Sequence, residues 1–417
     1  MRSLLVIGYV WPEPRSSAAG TRMMQLLSFF KSEGFEITFA TTASETDVME
    51  DLSLHGIRTE KIKLNDPEFD IFLKKLNPEI VLFDRFMMEE QFGWRVSEVC
   101  PDALKILDTE DLHFYRKARQ EAFKKGSPLS VSMLQNDLSK REIASIYRCD
   151  LSLIISEMEM DLLKSTFKLP EELLLYLPFM EEIPSEEKRS KLPTFQDREH
   201  FVSIGNFRHD PNWDAVLHLK QNIWPLIRKQ LPSAELHIYG AYATAKVSQL
   251  HNVKEGFIVK GRADSAEKVI RNSKVLLAPL RFGAGLKGKF IDAMKTGTPS
   301  VTTPLGAEGM SETNIWGGKI AGNPEEFANA AVELYSNSSA WEKAQKEGFE
   351  ILEIRYSKSL FSMMLQKRIG SVLSNLQEHR EVNFTGTMLQ HHQLASTKFM
   401  SKYIEMKNRL ENLTAKK

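Results

Sequence analysis

Residues 279–299 combine a glycine-rich loop with two lysines, at the junction of a predicted strand and a predicted helix. Gly283 and Gly285 let the backbone approach an anion closely, and free N–H groups in the first turn of a helix favour negative charge. Lys287 and Lys289 add positive charge at the same place. The segment therefore predicts a diphosphate site. A glycine-rich turn with solvated lysines is the alternative, and the spacing alone does not separate the two.

Two further places offer groups that suit a nucleotide or an acceptor. Asp292 follows the lysines within the predicted helix, where its carboxylate would accept hydrogen bonds from the hydroxyls of a ribose. The loop 12–22 follows the first predicted strand, and its Gly20 stands just before a helix, where backbone N–H groups can face a phosphate or a sugar hydroxyl. Arg22 lies in the same turn. A flexible surface turn is the alternative interpretation of this loop.

Three titratable groups follow the predicted strand 103–108. Ligands of open α/β sheets bind at the carboxyl ends of the strands, so Asp108, Asp111 and His113 are predicted to face a cleft. The histidine could orient a hydroxyl group, because its charge changes near neutral pH. Asp84 ends the preceding strand and is a candidate of the same kind. The alternative is a helix N-terminus capped by Asp108 or Thr109.

Other patterns have ordinary explanations. Ser156 and Glu159 match a capping box at the start of a helix. His391 and His392 are adjacent, so they do not share a helix face and do not predict a metal site. The sequence contains no Asp-x-Asp triplet, which is the pattern that would hold a metal-bridged diphosphate. We therefore expect no metal and no cofactor.

Strands and helices alternate along most of the chain, which predicts an α/β fold of two Rossmann-like doubly wound parallel sheets. We expect the first domain at residues 1–180 and a proline-containing, charge-dense linker at 181–198. The second domain is predicted at 199–350. A helical tail, 351–417, is expected to pack back on the first domain.

Composition excludes several classes of protein. The 417 residues carry 55 Lys+Arg against 55 Asp+Glu and are 42% hydrophobic, which indicates a folded protein without whole-chain attraction to nucleic acid or membrane. Cys100 and Cys149 stand alone, as in a reducing compartment. No apolar run is long enough to span a membrane, and the start reads as a buried strand rather than a signal peptide. We expect a cytoplasmic protein. The tail after residue 384 is locally basic with interleaved Phe399 and Tyr403, so peripheral membrane or RNA contact is a second interpretation.

The segment 201–310 resembles the donor-binding half of GT-B glycosyltransferases, in the large family four (group 1) of retaining enzymes. The matching stretches, in the family's order, are SIGNFR at 203–208, PNWDA at 211–215, WPLI at 224–227, LPSAEL at 231–236, GAGLKGKFIDA at 283–293 and PLGAEGM at 304–310. The segment that contains them covers about a quarter of the chain. The resemblance implies a nucleotide-sugar donor in the second domain and an acceptor in the first.

The resemblance also suggests residue roles. Lys287 and Lys289 would lie near the donor diphosphate, with Arg208 as a further phosphate partner, and Asp292 stands at the second Glu of the family's E-x7-E motif. Ala284 replaces the first Glu of that motif, so the contact to the donor sugar must come from Glu308 or from the loop backbone. The resulting assignments are, as catalytic, His113, Asp111, Arg208 and Lys287; as donor-binding, Gly20, Gly205, Arg208, Gly283, Gly285, Leu286, Lys287, Lys289, Asp292 and Glu308; and as acceptor-side, Arg22, Asp84 and Asp108.

The resulting hypothesis is a metal-independent, retaining glycosyltransferase, specifically a hexosyltransferase. Its co-substrate would be a nucleotide-diphosphate sugar and its acceptor a glycan, a lipid-linked glycan, a small molecule or, less readily, RNA. A GT-B-fold nucleotide-sugar epimerase and a non-catalytic nucleotide-sugar-binding partner of another transferase are the alternatives. The sugar, the base, the acceptor and the oligomeric state are not defined by the sequence.

Overall fold

Two parallel β-sheets form the centre of the molecule, in a computed structural model that describes residues 2–242, 245–311 and 315–414. The strands of the first sheet are β1 (Ser3–Gly8), β2 (Glu36–Thr41), β3 (Arg58–Lys61), β4 (Ile80–Asp84), β5 (Leu104–Asp108), β6 (Leu151–Ile154) and β7 (Leu174–Tyr176). The strands of the second sheet are β8 (Glu199–Ile204), β9 (Leu236–Tyr239), β10 (Phe257–Gly261), β11 (Ser273–Ala278), β12 (Ser300–Thr302) and β13 (Gly318–Ile320). Their orders are β3-β2-β1-β4-β5-β6-β7 and β10-β9-β8-β11-β12-β13. Both orders reverse direction beside the first strand, and the predicted doubly wound fold is confirmed.

Helices cover both faces of each sheet. Those of the first domain are α1 (Ala18–Ser32), α2 (Glu68–Leu76), α3 (Phe86–Val99), α4 (His113–Lys125), α5 (Val131–Leu134), α6 (Asp137–Arg148) and α7 (Glu157–Ser165), followed by α8 (Glu186–Ser190) between the domains. Those of the second domain are α9 (Asp210–His218), α10 (Trp224–Gln230), α11 (Ala245–Ser248), α12 (Ala266–Asn272), α13 (Gly288–Lys295), α14 (Pro304–Ala307), α15 (Pro324–Ser336) and α16 (Ser338–Arg355). The tail contains α17 (Lys358–Ser374), α18 (Leu376–Val382) and α19 (Phe384–Thr414).

The apolar patterns of the sequence predict a strand over 57–64 and a single helix over 132–147, and both differ from the observed elements. The single helix predicted over 132–147 is wrong, because the chain breaks there into α5 and α6. Asn136 begins the second helix, and its side chain accepts a hydrogen bond from the Ser139 N–H, which fixes a new N-terminus. The strand predicted over 57–64 is shorter, and all four residues of β3 are exposed.

The hydrophobic cores explain why the two domains lie together. Each sheet packs helices on both faces, but one cluster is shared between domains: Ile155 and Phe179 from the first contact a group that includes Leu286 and Met310 of the second. The shared cluster lies beside the carboxyl ends of β6 and β11. It therefore holds the edges that carry the candidate site against each other.

The tail crosses back from the second domain to the first. Glu181 and Ser357 form a parallel bridge where the chain passes between domains. Beyond it, α17 buries Phe361, Leu365 and Ile369 in the core of the first domain. None of the helices in the described part of the chain combines the length and the apolarity that crossing a membrane requires.

Candidate active site between the domains

The N-termini of two helices meet across the domain boundary. A methyl group added at Gly288, the first residue of α13, would lie 2.8 Å from the Cβ of Ala18, the first residue of α1. Two residues further along α1, a Cβ at Gly20 would lie 2.4–2.6 Å from the backbone of Glu13. Only glycine therefore lets the opening loop pack on α1. Both helices point their positive ends at the junction, which makes it suited to an anion.

The glycine loop before α13 lies directly against the acidic segment of the first domain. Gly285 has φ of +62°, and a Cβ there would lie 2.9 Å from the Cβ of Asp111. Gly283, also at positive φ, accepts a hydrogen bond from Arg119 of α4. Leu286 is buried in the core shared by the domains. The structure thus brings the predicted loop and the predicted acidic cluster together.

The ammonium groups of the two lysines bond to other groups of the second domain rather than pointing to solvent. Lys287 Nζ donates to the Gly285 carbonyl at 2.8 Å, and Lys289 Nζ donates to the Asn212 side chain at 2.8 Å. Burial lowers the pKa of each ammonium to about 8. Both groups are therefore mainly cationic at neutral pH. The alternative of solvated lysines in a simple turn is wrong.

Glu159 lies at the centre of this contact, although the sequence analysis gave it only a capping role. One of its oxygens, Oε1, accepts hydrogen bonds from the N–H of Leu112 at 3.1 Å and of Gly285 at 3.0 Å, so it links the two domains. The side chain of Ser156 makes no capping bond within the described residues, and the predicted capping box is wrong. The Glu159 carboxyl group bonds to the N–H groups of Leu112 and Gly285 instead of to the start of its own helix.

The protonation state of Glu159 is unusual. Its other oxygen, Oε2, is buried and has no hydrogen-bond partner among the residues that the structure describes. Burial raises its pKa to about 8, with the nearby Asp111 carboxylate as a second cause. The group is therefore mainly a neutral acid at neutral pH, carrying a proton inside the domain contact.

His113 and Asp111 are neighbours, as predicted from their spacing, but the histidine does not titrate near neutral pH. Its Nε2 lies 3.5 Å from Asp111 Oδ1, and Asp111 is held by Arg116. Burial lowers the pKa of His113 to about 4. The expectation that this side chain changes charge near pH 7 is therefore wrong, and His113 is a neutral hydrogen-bonding group.

The start of α4 is capped from outside the segment. The N–H groups of His113 and Phe114 donate to the carboxyl group of Glu142, at 3.1 Å each. Leu112 is the N-cap residue and has no side-chain cap. The alternative that Asp108 or Thr109 caps this helix is thus wrong, because buried carboxyl groups from α6 and α7 occupy the first-turn N–H groups.

Two of the acceptor-side candidates are bound to each other. Arg22 forms a buried ion pair with Asp108, with Nε 2.9 Å from Oδ1, and Nη1 donates to the carbonyl of Leu177 at 2.7 Å. The side chains are 2% and 0% exposed. Both groups face the protein interior, so the prediction that they contact an acceptor is wrong. The pair ties α1 to the end of β5.

Asp84, the third acceptor-side candidate, belongs to a buried acidic group. It accepts a hydrogen bond from the Tyr9 N–H at 3.0 Å and lies 3.5 Å from Arg85. Burial raises its pKa. Glu110, which the sequence analysis missed, stands nearby at φ of +63°, and burial raises its pKa to about 8. Its place between Asp108 and Asp111, directly after a predicted strand, is the sequence signal that could have found it.

Glu308 is engaged by Arg119 of the other domain. The guanidinium donates to both carboxylate oxygens at 2.5 and 2.7 Å, and the same group reaches the Gly283 carbonyl at 3.1 Å. In the described structure Glu308 therefore faces an arginine at the place where a donor-sugar contact was predicted. Arg119 was not singled out from sequence, because its partners lie 164 and 189 residues away.

The remaining predicted donor residues lie around the second domain's strand ends. Arg208 is exposed and stacks its guanidinium 3.6 Å from the ring centroid of Tyr242, whose hydroxyl donates to Glu13 across the cleft. Gly205 packs so closely on Asn212 that a Cβ would lie 2.7 Å from its side chain.

Asp292 is half-buried on α13, and burial raises its pKa to about 7, with Lys295 opposing that rise. A cavity of about 630 Å³ runs between α1, the linker 181–198 and α13. Its lining includes Thr21, Gln25, Glu181, Lys191, Arg271 and Lys295.

The second domain matches a known protein family. The model described as "Glycosyl transferases group 1" matches residues 198–337. This segment is similar to a glycosyl transferases group 1 domain. It contains the glycine loop, both lysines and Glu308, whereas the residues that meet them from α1, α4 and α7 lie outside the match.

Comparisons with whole proteins agree on the fold. A sucrose-phosphate synthase from Thermosynechococcus elongatus has a TM-score of 0.67 at 15% identity, covering 90% of this chain and 100% of its own. TarM from S. aureus, in complex with UDP and other ligands, has a TM-score of 0.67 at 11% identity over 89% and 100% of the two chains. HepE from Anabaena, in complex with UDP and glucose, has a TM-score of 0.63 at 12% identity over 89% and 100%. At this identity the likeness establishes the GT-B fold alone.

A curated relative matches part of the chain. An uncharacterized 44.6 kDa protein in the cps region of Klebsiella pneumoniae is 24% identical over 243 residues, or 56% of this chain. The match spans 60% of that relative's length.

Proposed function

We propose that the protein transfers a hexose from a nucleotide-diphosphate sugar to an acceptor hydroxyl, with retention of configuration. The observation that carries the proposal is the meeting of two helix N-termini, those of α1 and α13, beside Lys287 and Lys289. Breaking the bond between the sugar and the diphosphate builds negative charge on the leaving group. Aimed N–H groups and buried cations stabilise that charge as it develops.

The first domain would supply neutral hydrogen-bonding groups. His113 is uncharged at neutral pH and lies beside Asp111, where it can orient an acceptor or sugar hydroxyl without adding a second positive charge. Arg208 is exposed at the end of the second domain's strands, where a phosphate or base could reach it. Retention rests on the resemblance to the family.

Metal independence is part of the proposal. The two buried lysines and the helix N-termini already provide the positive charge that a diphosphate leaving group requires. The sequence has no Asp-x-Asp triplet to bridge a metal to the diphosphate. Transfer is therefore expected to continue in the presence of a chelator.

The first donors to test are UDP-sugars, because the similar structures of TarM and HepE contain UDP. For the acceptor we propose a glycan or a lipid-linked glycan. The relative from Klebsiella pneumoniae is described only by its cps region, and this supports a glycan without naming it.

We further propose that the enzyme works in the cytoplasm, at the surface of an anionic membrane. The last helix, α19, packs its polar side on the first domain: Ser401 donates to Asn65 at 2.7 Å, and Glu405 pairs with the buried Arg95. Five of its apolar side chains point away from the first domain. They form a stripe, here named the tail stripe, whose members are all at least 58% exposed: Phe399, Tyr403, Met406, Leu410 and Leu413.

Charge on the flanks of the tail stripe favours lipid over a second copy of the chain. Lys402, Lys407 and Arg409 lie beside the stripe, and Glu405 and Glu411 pair with the two lysines, so the flanks keep a net positive charge that two such helices would bring together. An anionic lipid surface would instead be attracted by them.

The function is tested by measuring sugar transfer and hydrolysis with UDP-, GDP- and ADP-sugars, each with and without EDTA. Turnover with at least one donor, unchanged by EDTA, is the expected result. Lys287→Ala and Arg208→Ala should each lose more than about tenfold in turnover, since one removed electrostatic donor costs about 2.7–4 kcal/mol. Lys343→Ala, an exposed lysine on α16, is the matched control and should retain activity.

Three results would contradict the proposal: strict metal dependence, absence of donor binding, or full activity in Lys287→Ala. Proton NMR of the nucleotide sugar incubated alone separates transfer from epimerisation. Tight nucleotide binding without turnover would support the non-catalytic alternative.

A further inference from the structure

A group of two histidines and a glutamate lies at the opposite edge of the second sheet from the cleft. His200 is the second residue of β8, Glu235 directly precedes β9, and His237 lies within β9. Because the strands are parallel, these positions share the amino-terminal edge of the sheet, while the candidate active site occupies the carboxyl-terminal edge. The group therefore takes no part in the proposed transfer site.

The three side chains converge. Their potential ligand atoms all lie within 4.8 Å of one another. His237 Nε2 is 2.8 Å from Glu235 Oε2, and the Nδ1 of His200 is 4.0 Å from the same oxygen. The two rings lie 4.3 Å apart between centroids. Ligands around a tetrahedral ion with bonds of about 2.0–2.1 Å stand roughly 3.3 Å apart, so small side-chain movements would place all three around one ion.

The backbone holds His200 in an unusual conformation. Its φ of +60° lies in the left-handed region, which non-glycine residues enter at a cost. Its backbone is also hydrogen-bonded to Tyr335. In this conformation the imidazole lies beside Glu235 and His237.

We propose that His200, Glu235 and His237 bind one divalent transition-metal ion, with Zn²⁺ as the best match to two imidazoles and a carboxylate. Two nitrogen ligands and one carboxylate oxygen leave a fourth position for water. The ion would tie the starts of β8 and β9 together. Its role is structural, because the cleft lies at the other end of the strands.

The test is titration of the chelator-treated full chain, without a histidine tag, with Zn²⁺ alone. We expect one tightly bound ion per chain, measured by calorimetry and by competition with a chromophoric chelator, and a higher melting temperature on zinc addition. His200→Ala and His237→Ala should each weaken binding by more than about tenfold. Glu235→Gln, which can keep the hydrogen bond to His237, should weaken it similarly without loss of fold.

Two controls make the result specific. The double variant His391→Ala/His392→Ala removes two histidines on α19 and should bind zinc as the wild type does. Lys260→Ala should bind more tightly, because the Lys260 ammonium lies close enough to lower the pKa of His237 and would repel a dication. Absence of a bound ion in the wild type, or equal binding in His237→Ala, would overturn the proposal. Neither result bears on the sugar-transfer proposal, because the candidate transfer site lies at the opposite edge of the sheet.

Discussion

At the scale of single residues, the cleft depends on where carboxyl groups hold their protons. Glu159 sits in the contact between the domains with one oxygen bonded to two N–H groups and the other without a partner in the described structure. Glu142 caps the next two N–H groups from a neighbouring helix, and burial raises its pKa to about 8 as well. Neutral acids here leave the positive charge of Lys287 and Lys289 available for a diphosphate.

Glu159 should make stability depend on pH. Its pKa rises from the usual 4.5 to about 8 in the folded protein, so the folded state binds more protons than the unfolded state between these values. Stability therefore falls as pH increases from about 5 to 8, by at most about 1.4 kcal/mol per pH unit for one group. Glu159→Gln, which stays neutral, should show a shallower fall. Urea unfolding of both proteins at pH 5, 6.5 and 8 measures it, and parallel curves would contradict the assignment.

Gly285 should be required for the contact itself, beyond its backbone conformation. A Cβ at this position would lie 2.9 Å from Asp111, so Gly285→Ala should push the loop off the first domain and lower kcat/KM by more than tenfold. Gly34→Ala is the matched control: its φ is +79°, yet a Cβ would meet nothing within 4 Å among the described residues. Both variants should lose about 1–2 kcal/mol of stability from strained backbone, but only the first should lose activity. Equal activity in the two would mean that the loop contact is dispensable.

At the scale of elements, apolar runs in the sequence predicted the strands of the sheets. The same runs did not predict which side chains, far apart in the sequence, contact each other. β1 and β4 are short segments made mostly of apolar residues, and every residue of β4 is buried, as such runs predict for parallel strands. The edge strand β3 has no such pattern, and its bounds were wrong. Glu159 and Arg119 were missed because their partners in the glycine loop lie 126 and 164 residues away.

The same limit explains the errors at Arg22 and Asp108. Asp108 ends β5 and Arg22 lies near the start of α1, but residues at the carboxyl edge of a sheet also form internal ion pairs, and position alone does not separate the two uses. Only the contact between α1 and β5 shows that these side chains satisfy each other.

Helix α4 is expected to control the glycine loop through Arg119. This side chain bonds both Glu308 and the Gly283 carbonyl, so Arg119→Ala should loosen the loop and raise the KM for the donor several-fold, with a smaller change in kcat. Arg119→Lys should be intermediate, because one ammonium cannot make the paired contact. Steady-state kinetics with varied donor measures the change. Arg141→Ala, which breaks an exposed pair with Glu90 inside the first domain, should leave KM unchanged.

At the scale of the whole molecule, the tail joins the two domains and then presents an apolar face to solvent. Helix α17 packs into the core of the first domain, so the tail that follows the second domain is anchored on the first. Helix α19 continues over α3 and α6 with polar contacts, including Gln393 to the Glu90 carbonyl and Lys398 to Glu98. The polar face of this helix is thus occupied while its apolar face is exposed, the reverse of ordinary helix docking.

That arrangement predicts binding to anionic vesicles. The tail stripe recurs every three or four residues, and Ser401, on the docked side, lies roughly 160° around the helix from Phe399 and Tyr403, so a flat surface can reach the stripe without displacing the helix. The full chain should sediment with vesicles of phosphatidylcholine and phosphatidylglycerol. It should bind pure phosphatidylcholine less, and added salt should weaken binding. Phe399→Ser/Leu410→Ser should lose binding, while Leu54→Ser, an exposed leucine elsewhere on the first domain, should not. Light scattering that showed dimers, dissociated by the same double substitution, would instead assign the stripe to a second copy of the chain.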